Sequence, residues 1–258
     1  MGGREYRRAG ARAGKLSARR CAQAAILASA VLLVYPPTRL PAQVGHPPDD
    51  SPYHDVKHGR TLILSGGYLT GSHGAVGVGP SNGGMASLRF EVPFGKPLGF
   101  FIGAGYGRLS RVIADPTKDS AAHISGPVNV DVGVFEGGVH LFLTDSRTWH
   151  AFAPFIGVSG GVIVARDPPA DTSGYRFRAK GMFGPEAGLR LYLGRRVAVR
   201  AEGRLMFWQL NYPLSYKQPS PDGSRVRQIA DPATGQIADP DKEWTRHPWI
   251  SIGLGWTF

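Results

Sequence analysis

Ionisable side chains recur at alternate positions in several stretches of this 258-residue chain, as with Arg89 and Glu91. The set comprises Arg89, Glu91, Glu136, His140, Arg178, Lys180, Glu186, Arg190, Arg200, Glu202 and Arg204. Because it contains both signs of charge, it could form a network of ion pairs or line a narrow path for ions. Glu136 and His140 share one parity, and histidine titrates near neutrality, so this pair is the candidate for a pH-sensitive element in such a path.

The spacing of these charges is the period of a β-strand, in which successive side chains point to opposite faces. In the second of the predicted strands, Leu88 and Phe90 alternate with Arg89 and Glu91. The second, sixth and seventh stretches each combine an apolar face with a face that carries both signs of charge. In all, the pattern predicts eight strands, which span residues 61–71, 84–94, 98–112, 127–143, 150–165, 177–193, 197–210 and 247–258.

The connections between these strands alternate in length. Three are tight turns with the sequences GKP, TDSRTW and GRR, whereas the others are long polar loops, the longest from 211 to about 246. This alternation is typical of an antiparallel up-and-down barrel whose two ends differ. No segment after residue 42 has a sustained helical period with caps, so we expect helices to be nearly absent there.

The strand pattern by itself is compatible with two kinds of barrel. A soluble barrel of the lipocalin kind would place the apolar faces inside, whereas a membrane barrel places them against lipid and must pair its interior charges. Three features favour the membrane barrel: strands of the roughly 9 to 11 residues that a tilted crossing needs, unequal loops, and aromatic residues near the turns. Those residues are Phe94, Phe100, Trp149, Phe152, Tyr192 and Phe258. We expect the opposite, outer interface to be marked by Trp208, Tyr212, Trp244 and Trp249.

The first 42 residues have the composition of a secretory signal peptide. A cationic segment that reaches Arg20 precedes an apolar one from Cys21 to about Tyr35. We predict cleavage after Ala42, with Ala30 as the competing site. The segment carries eight Lys or Arg against one Glu, which is +7 of the net charge of +11. The basic character therefore belongs to the leader and does not indicate nucleic-acid binding by the mature protein.

Residues 43–60 are polar and rich in Pro and His, which predicts a periplasmic tether. His54 and His58 are four residues apart, but the prolines around them disfavour the helix that would align them. We therefore predict no metal site. The single cysteine, Cys21, lies in the leader, so the mature chain has no disulfide and no thiol nucleophile.

The segment SIGLGWTF resembles the final strand of bacterial outer-membrane barrels. Ser251, Gly253, Trp256 and Phe258 occupy the polar, glycine and two aromatic positions of that pattern. In that family the segment is the signal read by the machinery that folds barrels into the outer membrane. With the leader, the strands and the unequal loops, it makes residues 61–258 similar to the small eight-stranded barrels of the OmpA, OmpX and OmpW type. The resemblance implies a location in the bacterial outer membrane, with its lipids and the barrel assembly machinery as partners.

A second resemblance concerns catalysis. His123 and Ser125 are two residues apart, as in the Ser/His/Glu set of outer-membrane lipid A deacylases, and Glu136 follows. Two departures put this in doubt: Glu136 has the opposite parity to Ser125, and Gly126 replaces the asparagine that usually follows the serine. Lipid A modification is therefore a minor alternative, and we predict that the protein is not an enzyme and binds no cofactor.

These observations together predict an all-β fold. Residues 61–258 are expected to form an eight-stranded antiparallel up-and-down transmembrane barrel, preceded by a helical signal peptide. The interior charges are expected to form a salt-bridged plug, because a barrel of this size holds side chains and little else. The expected role is structural, or a surface interaction through the extracellular loops. The alternative is a narrow gated pore for small solutes or ions.

Overall fold

The computed structural model describes residues 51–55, 59–145, 147–169, 171–226 and 241–258. The predicted signal peptide, with its cleavage site at Ala42, lies outside the described residues. The described residues form ten strands: β1 (Tyr53–Asp55), β2 (Thr61–Leu69), β3 (Ser81–Phe94), β4 (Leu98–Ala114), β5 (Ile124–Phe142), β6 (Arg147–Trp149), β7 (Phe152–Ala165), β8 (Ala179–Tyr192), β9 (Val197–Asn211) and β10 (Lys242–Thr257).

Helical structure is confined, in the described residues, to two 3-10 turns, Ser120–Ala122 and Leu214–Lys217. The expectation of few helices is thus confirmed for this part of the chain. None of the helices described is long and apolar enough to cross a membrane.

Eight of the strands close into one antiparallel barrel. The order is β2, β3, β4, β5, β7, β8, β9, β10, and β10 then pairs back with β2, where Ile252 faces Gly66 and Thr257 faces Thr61. Closure gives every barrel strand a partner on both sides, so no edge exposes unpaired backbone groups. The predicted eight-stranded antiparallel barrel is confirmed. The short connections gather at one end, the turn end, and the long ones at the other, the loop end.

Several strands extend further at the loop end than the sequence pattern predicted. β10 begins at Lys242 instead of 247, and β3 and β5 each begin three residues early. The predicted boundaries followed the alternation of large apolar side chains. The ladder continues beyond it because any residue except proline can supply both backbone hydrogen-bonding groups, as where Lys242 pairs with Asn211.

A two-stranded ribbon lies outside the barrel ladder. β1 pairs antiparallel with β6, with His54 opposite Thr148. Part of the segment predicted to be a tether therefore forms a short strand. The sequence did not reveal this strand, because three residues are too few to show an alternation of side chains. His58, the other member of the histidine pair, lies outside the described residues.

The outward face of the barrel is an apolar belt. On β4 the outward residues Leu98, Phe100, Ile102, Ala104 and Tyr106 are all exposed. The uncharged row ends at Arg108, which pairs with Asp131 of β5. On β10 it runs from Trp256 back to Pro248 and ends at Arg246. The apolar row is thus about nine residues long, while the strands continue past it toward the loops.

The aromatic residues divide differently from the prediction. At the turn end, Phe94 and Trp149 are exposed, as expected of an interfacial position. Of the four residues predicted to mark the loop end, Trp244 is exposed, whereas Trp208, Trp249 and Tyr212 are buried. Their assignment to the outer interface is wrong, because Trp208 and Trp249 occupy inward positions of β9 and β10.

Candidate functional site

The turn half of the barrel interior contains a compact charge network. It brings together nine of the eleven predicted interior residues, none more than 8% exposed: Arg89, Glu91, Glu136, His140, Glu186, Arg190, Arg200, Glu202 and Arg204. They project from β3, β5, β8 and β9. Four arginines face four glutamates, so the network balances its charge apart from the histidine.

Arg178 and Lys180 do not join this network, which corrects their assignment. Arg178 precedes β8 with φ of 56° and is exposed, while Phe177 before it is fully buried. The positive φ breaks the strand alternation there, and the prediction had assumed an extended strand from 177. Lys180 lies at the loop end, where its amine donates to the side-chain oxygen of Asn211 (3.1 Å).

Arg89 is the centre of the network. Its guanidinium donates to Glu136 (2.8 Å), Glu186 (3.0 Å) and Glu202 (3.0 Å), so all three nitrogens are engaged. The flat face of the guanidinium lies 4.3 Å from the ring of Phe101. Ion pairs removed from water need this degree of hydrogen bonding to offset the lost hydration.

Arg204 cross-links the same carboxylates from β9. It contacts Glu136, Glu186 (3.1 Å) and Glu202 (2.9 Å), and its guanidinium lies 4.5 Å from the ring of Trp249. Arg89 and Arg204 therefore hold three acidic groups between them. This double bracing fixes the spacing of β3, β5, β8 and β9 across the interior.

His140 joins the two halves of the network. Its Nδ1 lies 2.7 Å from a Glu91 oxygen and its Nε2 lies 2.5 Å from a Glu186 oxygen. The imidazole stacks on Phe101 at 4.5 Å and is fully buried. Nε2 also lies 3.2 Å from Nη2 of Arg200. The imidazole is thus enclosed by two carboxylates and a guanidinium group, away from water.

Inward-facing glycines make room for these large side chains. A Cβ added at Gly157 would lie 2.7 Å from His140 Cδ2 and 3.2 Å from a Glu186 oxygen. One added at Gly138 would lie 2.5 Å from the ring of Phe101. The glycine-rich stretches of β5 and β7 thus leave the space that the large side chains of the network occupy.

At the turn end, a cavity of about 10 Å³ adjoins the network, lined in part by Arg190, Arg200 and Thr257. Arg190 Nε and Arg200 Nη1 have no hydrogen-bond partner among the atoms of the described residues. A space of this size holds about one water molecule, which could satisfy both groups.

The loop half of the interior is filled by apolar side chains, a layer that the sequence did not reveal. Inward residues of the strands, such as Met85, Val132, Ile163, Met206 and Trp208, pack in one buried cluster. Loop residues complete it from above, and they are Val76, Val78, Tyr175, Phe177, Tyr212 and Tyr216. The sequence did contain one signal of this layer: the inward-facing residues of the strands become apolar toward the loops.

Polar contacts fasten the loops over this apolar layer. Arg111 is 1% exposed, and its Nη2 donates to Asp171 (2.5 Å) from the connection between β7 and β8. Tyr175 from the same connection stacks on Tyr216 from the last loop at 6.4 Å. Burial raises the pKa of Tyr216 to about 12, so its hydroxyl stays protonated. The loops thus form a packed cap over the barrel.

The residues of the possible catalytic set are not brought together. His123 is buried in the loop cap and contacts Ser220 (2.7 Å), whereas Ser125 is exposed near the start of β5. Glu136 lies eleven residues further along β5, about 35 Å away in an extended strand, and is held by Arg89 and Arg204. This geometry gives no support to a Ser/His/Glu site.

No group of three or more His, Cys, Asp or Glu side chains that could hold a metal is found within the residues described.

Of the predicted assembly signal, Ser251 and Gly253 face inward, whereas Trp256 and Phe258 are about half exposed on the outside. The Phe258 N–H donates to the Arg60 carbonyl (3.0 Å), and its ring lies 6.2 Å from Phe90.

Comparison with known proteins finds likeness in fold. No protein-family model matches the chain, and no curated protein matches it in sequence. Similar solved structures include Neisserial surface protein A (10% identity, TM-score 0.45, 81% of this chain and 98% of that one). Others are the outer membrane protein OprG from Pseudomonas aeruginosa (13%, 0.46, 81% and 99%) and Ail, the attachment invasion locus protein of Yersinia pestis (10%, 0.37, 78% and 100%). By its own strand pairing, the chain is a closed eight-stranded antiparallel β-barrel.

Proposed function

We propose that the chain is a bacterial outer-membrane barrel with a closed interior, which acts as a structural element or through the surface of its loops. The observation that carries the proposal is the reversal of polarity across the wall: charges are buried inside, and large apolar side chains are exposed outside. Ile102, Ile250 and Ile252 are each at least 65% exposed. A water-facing wall of this composition would be an aggregation surface, whereas in lipid it is the stable arrangement.

The filled interior argues against a permanently open path. Moving along the axis, a solute would meet the charge network and then the apolar layer with its loop cap. Permeation would require the braced carboxylates and guanidinium groups to separate, which leaves buried charges unpaired. The narrow gated pore is the second candidate, with Glu136 and His140 as its pH-sensitive element. His140 between two carboxylates is the observation that favours it.

Planar-bilayer recording tests the closed interior. We expect the purified protein to insert without stepwise conductance, because both layers block the lumen. A matched variant, Arg89→Ala with Arg204→Ala, removes the central braces and is expected to show current if it folds. Stepwise conductance of the wild-type protein would favour the narrow pore, and a change of that current between pH 5 and pH 8 would implicate the histidine.

The terminal residue provides a test of assembly. Deletion of Phe258 is expected to leave export unchanged and to reduce the folded protein in the outer membrane about tenfold or more, because the proposed signal for the assembly machinery loses its final aromatic side chain. Heat-modifiable migration of outer-membrane fractions measures the folded amount. Leu98→Ala, which shortens an exposed side chain elsewhere at the turn end, is the control. Equal yields from the deletion and the control would contradict the assignment of the signal.

A further inference from the structure

The loop end of β8, β9 and β10 carries a group of cations that the interior network does not use: Arg178 precedes β8, Lys180 lies at the rim on the inward-facing row of β8, and Lys242 and Arg246 face outward on β10. We call Arg178, Lys180, Lys242 and Arg246 the basic patch. Arg178, Lys242 and Arg246 are exposed, and Lys180 is partly buried. Within the described residues, none of the four forms an ion pair with a carboxylate. Among the residues that the structure describes, the four positive charges of the patch therefore have no carboxylate partner.

Strand register brings two of these cations, Lys180 and Lys242, close together. Asn211 of β9 pairs with Lys242 of β10, and the side chain of Asn211 accepts from the Lys180 amine at 3.1 Å. Lys180 and Lys242 thus flank one asparagine. Arg246 points outward four residues further along β10, about 13 Å from Lys242 in an extended strand.

The nearest acidic residues of β10 and its approach are engaged elsewhere. Asp241 contacts the Lys217 amine (2.6 Å). Glu243 accepts from the Tyr212 hydroxyl (2.6 Å) and from the Ala75 N–H (3.0 Å). Both acidic side chains thus have partners outside the basic patch, and an anion from outside the protein would lower the repulsion among its cations.

An aromatic cluster adjoins the basic patch on the side of the belt. Phe183 and Phe207 stack at 5.4 Å, and Trp244 meets Phe183 edge to face at 5.6 Å. Phe207 is also the register partner of Arg246. Exposed aromatic rings favour the level where hydrocarbon meets headgroups. The cations therefore lie at the level of the lipid headgroups, and the rings lie closer to the apolar belt, at the level of the acyl chains.

The cations at the same level on the opposite side of the barrel are compensated. Arg108 contacts Asp131 (3.4 Å), which also accepts from the Tyr106 hydroxyl (2.8 Å). The corresponding residues beside β10 are the uncharged Thr70, which follows β2, and Asn82 of β3, and the Thr70 hydroxyl donates to the Asn82 side chain at 3.0 Å. The uncompensated charge is thus a local feature of one side.

We propose that the basic patch binds the phosphate groups of an anionic lipid in the leaflet at the loop end. The inference rests on the membrane insertion proposed above. Lys and Arg supply the charge-assisted hydrogen bonds that phosphate oxygens accept, and clusters of them at a membrane surface favour anionic lipids. The adjoining rings select a lipid over free phosphate, because only a lipid places an acyl chain beside Phe183 and Trp244.

Quenching of tryptophan fluorescence by brominated lipids tests the site. The full chain is reconstituted into vesicles that contain brominated phosphatidylglycerol or brominated phosphatidylcholine. In a Trp149→Phe, Trp256→Phe background, Trp244 is the exposed tryptophan, because Trp208 and Trp249 are buried. We expect phosphatidylglycerol to be preferred at this site at least about tenfold, from roughly a fivefold contribution per cation.

Two variants separate the basic patch from general surface charge. Replacement of its four cations by Gln is expected to abolish the preference. The control is Arg108→Gln with Arg166→Gln on the opposite side, where the exposed Arg166 directly follows β7 and its N–H donates to the Asp131 carbonyl (2.9 Å); this variant is expected to retain the preference. Heat-modifiable migration verifies that each variant is folded. The preference for phosphatidylglycerol is also measured with inorganic phosphate in the buffer and with sodium chloride of equal ionic strength. We expect the same preference in both.

Each contrary outcome has a distinct meaning. Equal quenching of the wild-type protein by the two lipids, or equal losses in the two variants, would overturn the lipid site while leaving membrane insertion intact. Competition by inorganic phosphate beyond that of chloride would overturn the assignment to a lipid. Absence of quenching by either lipid would overturn membrane insertion and the lipid site together.

Discussion

Replacement of Arg89 by Met lowers the free energy of unfolding by about 3 to 5 kcal/mol, the usual cost of removing one partner from a buried ion network. Glu136, Glu186 and Glu202 each lose a donor at 2.8 to 3.0 Å in a site where water does not replace it. Methionine has a similar length, so the loss reports the charge more than the volume. Urea unfolding of the protein in detergent micelles, followed by tryptophan fluorescence, measures the change.

Two further variants distinguish the charge network from a general effect of removing arginine. Arg108→Met breaks an exposed pair with Asp131 and is expected to cost less than about 1 kcal/mol. Adding Glu202→Gln to Arg89→Met removes one orphaned carboxylate and is expected to restore part of the stability. Similar losses for Arg89→Met and Arg108→Met would show that the interior network contributes little.

Substitution of Ile102 by Arg has the second large expected effect. Ile102 is 67% exposed at the middle of the apolar row of β4. A charge at the centre of a membrane costs about 2 to 4 kcal/mol in a barrel, because the guanidinium must leave water. The same substitution on a wall that faces water would cost almost nothing. The measurement is therefore a test of lipid exposure, made by reversible unfolding in phospholipid vesicles.

The matched control is Asn129→Arg. Asn129 is also exposed on the barrel wall, on β5, but lies beyond Asp131 and outside the apolar belt. Its replacement is expected to change the free energy of unfolding by less than about 1 kcal/mol. If the two arginines cost the same small amount, the belt does not face hydrocarbon and the proposed function loses its main support.

The alternation of side chains determined which residues share a face, and through it much of the charge network. Arg200, Glu202 and Arg204 follow one another at period two within a strand that has no bulge in its pairing with β10, so their common direction was predictable. Arg178 shows where this reasoning stops. The positive φ of Arg178 reversed the alternation at the start of β8, and an arginine is not a residue type that predicts a positive φ.

Strand parity by itself left open which side of the wall is apolar, because parity is symmetric between a soluble and a membrane barrel; strand length, unequal loops and the aromatic residues near the turns favoured the outside. Which face points inward is decided when the sheet closes into a barrel, and closure depends on the pairing of β10 with β2, which are far apart in the chain. The same limit explains the missed apolar layer. Tyr175, Phe177 and Tyr216 lie in loops of polar composition, and their burial follows from contacts between two separate connections.

By itself, then, the sequence determined the number of barrel strands, the unequal ends and most of the side chains that share the interior, since all of these follow from local period and spacing. Only the tertiary structure decided that Arg89 and Arg204 brace three glutamates, that His140 stands between two carboxylates, and that the loops seal the barrel. The physical reason is that these contacts join residues from different strands and loops, and their distances are fixed by closure and register instead of by any local pattern.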